Sequence, residues 1–120
     1  MQSTFIVFFR FAFFFCLFVI TYLAVVPQDQ VFVSSGWDKL NHLIAFFVLQ
    51  GLFEYSYPKL SLWRQRVPAM LFYGIAIELF QMLTPDRYGS WLDILSNCLG
   101  IVLFVLIIPL LDKTPLKSLK

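Results

Sequence analysis

An all-helical bundle of four membrane-crossing segments is the fold class this sequence predicts, and three observations predict it. Hydrophobic residues make up 60% of the 120 residues and charged ones only 13%, with a mean hydropathy of +0.81. A soluble globule of this length does not tolerate so apolar a composition. The apolar residues fall into four runs, on the scale of the about 20 helical residues that cross a hydrocarbon core. The basic residues lie in short patches flanking those runs, where they report topology. No repeat or linker divides the chain, so a single domain over residues 1–120 is expected. The net charge of +2 is too small to suggest nucleic acid.

Helix one is expected over residues 5–26, apolar except for Arg10. A cleaved signal peptide is the competing reading; no small-x-small cleavage site follows the apolar run, so the helix is expected to stay. Phe5, Phe8, Phe9, Phe11, Phe13, Phe14, Phe15 and Phe18 make it apolar all round, which suits a helix with much lipid-facing surface. Residues 27–37, with Pro27, Asp29 and Gly36, read as a polar connection. Helix two follows over about 38–53, short enough for a span that tilting or local bilayer thinning would be needed. Residues 54–66 carry Lys59, Arg64 and Arg66 around Tyr57, Pro58 and Trp63, and read as an interfacial loop with aromatic anchors. Pro68 fits the first turn of helix three, expected over 67–83. Thr84, Pro85 and Asp86 break that helix, Ser90 opens helix four over 91–111, and Lys113, Lys117 and Lys120 form a basic tail. Cys16 and Cys98 sit inside apolar runs and read as small buried hydrophobes.

With four crossings, Arg10, Lys59, Arg64, Arg66, Lys113, Lys117 and Lys120 share one side, and only Lys39 and Arg87 lie on the other. The excess of positive charge places both termini in the cytoplasm. Asp38 to His42, Gln81 and the stretch from Arg87 to Asn97 then face outside. At about 1.5 Å per residue, His42 lies roughly 6 Å past Asp38, Glu78 roughly 8 Å before Leu83 and Asn97 roughly 9 Å past Trp91, so the three can meet in one layer. Asp38 and His42, Glu78 and Gln81, and Asp93 and Asn97 are each spaced to share a helix face.

At these residues the chain resembles the VanZ-like family of small bacterial membrane proteins. The matching pieces are Asp38, Lys39 and His42 as Asp-Lys-x-x-His, then Gly74, Glu78 and Gln81 as Gly-x-x-x-Glu-x-x-Gln, then Arg87 followed by Asp93, Asn97 and Gly100. The resemblance implies a four-helix protein of the bacterial cytoplasmic membrane, in a family whose namesake is associated with lowered susceptibility to the glycopeptide teicoplanin.

Chemically, Arg87 and Lys39 suit an anionic group such as a lipid phosphate, Arg by a two-pronged hydrogen bond and Lys as a point charge. Gln81 and Asn97 would orient it, with Asp38 and Asp93 alongside. His42 and Glu78 could move protons, which makes them the candidate catalytic pair. Three functions follow. The first is binding or handling of an anionic lipid-linked or peptidoglycan-related group; the second is an intramembrane enzyme on such a group; the third is a scaffold whose polar cluster only locks the bundle. Purely structural readings stand beside these: Asp38 and Asp93 as helix caps, Ser96 and Gly100 as a close-packing pair, and Arg87 and Lys39 as lipid-phosphate anchors. A single imidazole among carboxylates, with Arg87 beside it to repel a cation, is a poor donor set, so neither metal nor cofactor is expected.

Overall fold

The computed structural model describes residues 2–25, 35–83 and 91–120, and among them it is helical with short turns and no strand. Of the connection expected over 27–37, residues 35–37 are helical; residues 27–34, the expected break at 84–86, Arg87 and Ser90 lie outside the described residues. Four long helices follow one another: α1 (Gln2–Val25), α2 (Ser35–Ser56), α3 (Val67–Leu83) and α4 (Trp91–Leu111), before a 3-10 turn at Pro115–Leu119.

Helix α2 is longer than the 38–53 expected. It continues through Glu54, Tyr55 and Ser56 because these polar residues are buried inside the bundle, Glu54 against Arg66 and Lys120, and do not enter a loop. Twenty-two residues measure about 33 Å along the axis, so α2 is not the short helix expected. The segment expected as an interfacial loop is likewise mostly helical. After a tight turn, Leu62–Arg66 forms one π-helical turn that runs directly into α3. Ser61 caps it, its hydroxyl accepting from Arg64 N at 3.3 Å while its own N–H donates to Gln65 Oε1 at 2.8 Å. Trp63 remains exposed, as an interfacial anchor should.

Three segments, Thr4–Val25, Leu62–Leu83 and Trp91–Leu111, are long and apolar enough to cross a membrane. The bundle is 45 Å long and 24 Å across, the length of a bilayer including its headgroups at about 40–45 Å. Helix α2 is less apolar and is the one the others cover: it packs most extensively on α4 and next on α1, while α3 rests mainly on α4. Gly100 permits the tight α2–α4 seam, since a Cβ there would collide with the carbonyl oxygen of Leu43. The core is Phe13, Phe46, Leu49, Phe53, Met70 and Ile101, with Phe13 stacked on Phe53 at 4.9 Å. Phe8, Phe11, Phe14, Phe15 and Phe18 of α1 point outward, as expected of a helix with much surface for lipid.

Candidate functional site

Near the start of α2 and α4 and the end of α3, five polar side chains from three helices converge. Lys39 and His42 lie one turn apart on α2, and Asp93 and Asn97 one turn apart on α4, so each pair faces the seam between these helices. Glu78 enters from α3, and Gly74 one turn before it lets Phe46 approach: a Cβ there would stand 3.1 Å from the Phe46 ring. Lys39 Nζ donates to Asp93 Oδ1 at 3.1 Å. His42 Nδ1 lies 3.0 Å from Asn97 Oδ1 and 3.2 Å from Glu78 Oε1. With its proton on Nδ1, His42 donates to the Asn97 carbonyl oxygen, and the Glu78 carboxylate stands within ion-pair range of the same nitrogen.

The cluster is dry at its base and open at one point. Glu78 is fully buried, and Asp93 and Asn97 are 2% exposed; among the described residues of the cluster Lys39, with a side chain 37% exposed, and His42, at 16%, reach outward. Asp93 pairs with Lys39 across the α2–α4 seam. Gln81 is buried too, but its Nε2 donates to the Ala24 carbonyl at 3.3 Å, taking up one of the carbonyls left over at the C-terminal end of α1. That contact ties α1 to the site. The remaining expected site residues, Arg87 and the side chain of Asp38, lie outside the described residues.

Chemically the arrangement joins a histidine to a buried carboxylate at hydrogen-bond range, beside a second buried carboxylate neutralised by an ammonium. His42, Glu78 and Asp93 offer ligand atoms within 4.8 Å of one another, close enough to share a cation. The Lys39 ammonium on Asp93 competes directly for that position.

A second polar cluster, at the opposite end of the bundle, was not anticipated from the sequence. Glu54 pairs with Arg66, both nearly inaccessible, and accepts from Lys120 Nζ at 2.8 Å, which also pairs with Asp112 at 2.8 Å. Arg10 Nε donates to the Ser56 carbonyl at 3.0 Å, and its guanidinium lies over the Tyr57 ring. Burial pulls the pKa of Lys120 down, but its hydrogen bonds to Asp112 and Glu54 and their charges outweigh this and raise it above the usual lysine value. The available signal was periodicity: His42, Phe46, Gln50 and Glu54 recur every four residues and continue one face of α2 through the whole helix. Compared with family models, curated proteins and solved structures, the chain matches none.

Proposed function

We propose that this chain is a VanZ-like protein of the bacterial cytoplasmic membrane that crosses the bilayer four times, α2 included, with both termini in the cytoplasm. In this reading the His42 layer faces outward and binds an anionic lipid-linked or peptidoglycan-related group, and through it affects susceptibility to glycopeptides such as teicoplanin. The observation that carries the reading is the convergence of Lys39, His42, Glu78, Asp93 and Asn97 from three helices on one layer. A carboxylate in the membrane interior costs about 2.5–3.5 kcal/mol even on insertion scales, and this layer holds two. Lys39, its exposed member, is shared with Asp93, so Arg87, four residues before the start of α4, is the cation this reading assigns to the anion.

Mutual saturation favours a second reading, a scaffold. His42 already spans Glu78 and Asn97, and Gln81 is committed to α1. The two readings part on one experiment: lipids retained by the purified protein are quantified by mass spectrometry for wild type, Arg87→Ala, Arg87→Lys and His42→Gln. Binding predicts an excess of anionic over zwitterionic lipid that falls by about tenfold in Arg87→Ala and His42→Gln, the size of one charge-assisted hydrogen bond. Arg87→Lys recovers little, because an ammonium does not reproduce the planar fork. Folded yield stays normal. Retention that follows yield down in every variant supports the scaffold. Turnover of a retained lipid by wild type, lost in His42→Gln, would extend the first reading to catalysis.

A further inference from the structure

Asn97 faces two surroundings at once. Its Oδ1 is engaged by His42, which turns its Nδ2 toward α3, where it would stand 3.4 Å from a Cβ at Gly74. Among the described residues Nδ2 has no hydrogen-bond partner, although Asn97 is 2% exposed. It borders a crevice between α3 and α4, lined by Met70, Leu71, Gly74, Ile94, Cys98 and Ile101, with Ile75 at its exposed lip. The crevice holds about 140 Å³ of empty space, part of it open to the outside, but no room for a water molecule. An unsatisfied buried donor is unfavourable, so an acceptor that opens the crevice gains by reaching it. The crevice starts at the polar layer and runs along the bundle toward Met70 and Ile101, the direction a lipid chain takes below its headgroup.

We propose that the crevice takes the ester-linked chain of the lipid whose anionic headgroup sits on the polar layer, with the ester carbonyl accepting from Asn97 Nδ2. This rests on the anionic-lipid reading of that layer and narrows it to a class. A glycerophospholipid carries an acceptor at the head of its chain, whereas a polyprenyl phosphate offers none between phosphate and hydrocarbon. Entry widens the crevice, and Met70 is the wall that yields, being unbranched with three rotatable bonds. A side chain at Gly74 would start 3.4 Å from Nδ2 and 3.1 Å from the Phe46 ring, so glycine leaves the amide uncovered on that side.

The test uses the full chain in phosphatidylcholine vesicles doped equally with diester phosphatidylglycerol, its diether analogue and undecaprenyl phosphate. The protein is then extracted and its retained lipids quantified. The diester is retained over the diether by about two- to tenfold, the range of one hydrogen bond. Cys98→Trp fills the crevice and abolishes the contrast; Ile75→Trp does the same at the lip if Cys98→Trp fails to fold. Equal retention of diester and diether, or preference for the polyprenyl phosphate, overturns the chain assignment and leaves the headgroup site standing. Retention of none of the anionic lipids above phosphatidylcholine overturns both.

Discussion

Among single residues, exposure decides what each charge is worth. Lys39 is 37% exposed, so water screens its end of the pair, and although Asp93 is 2% exposed, Lys39→Ala costs less than breaking a pair buried at both ends. Arg66 and Glu54 are 6% and 5% exposed, and removing one partner of such a pair costs about 3–5 kcal/mol. Arg66→Ala therefore lowers the thermal midpoint in detergent well beyond Lys39→Ala; equal shifts would mean that the Glu54 cluster is wetter than its burial implies. The same contrast explains what could be read from the sequence. Polar residues within apolar runs (His42, Glu78, Asn97) stand out because burying them there is costly, whether they serve a ligand or lock the bundle. Arg66 and Lys120 flank apolar runs, where a basic residue already has a topological explanation, so their pairing with Glu54 was hidden.

Element by element, the helices were legible where apolarity is unbroken: α3 and α4 run over the residues expected, and α1 begins at Gln2, three residues before the expected 5. The boundaries of α2 were not, because Glu54 to Ser56 look like loop residues until their tertiary partners are known. Gly100 was legible as a packing residue, and its place against the Leu43 carbonyl gives that reading a consequence. Gly100→Leu forces α4 off α2, an overpacking cost of about 1–3 kcal/mol or more. The seam it opens also carries Lys39–Asp93 and His42–Asn97. A drop in thermal midpoint together with loss of anionic-lipid retention is the expected result, whereas Gly51→Ala, which meets only the movable edge of the Phe104 ring, shifts both less.

Taken whole, the molecule is a bundle with a polar layer at each end and an apolar middle in which Gln50 is the buried polar side chain between them. The Glu54 layer closes through Lys120, which ties the C-terminal turn to α2 and to Asp112 just past α4. Because the folded-state pKa of Lys120 is raised above the ordinary 10.5, its contribution is fully present below that value and is lost as pH rises through the folded pKa. The thermal-midpoint difference between wild type and Lys120→Met should stay constant from about pH 7 to pH 10 and shrink only above about pH 10.5. A difference that vanishes near neutrality would contradict that pairing. The His42 layer keeps its exposed lysine, which suits the proposal that this end receives a ligand. Lipid retention by the purified protein tests this most directly. An excess of anionic lipid that Arg87→Ala and His42→Gln abolish at unchanged folded yield is what the account predicts; retention indifferent to both substitutions, or falling only as yield falls, would contradict it.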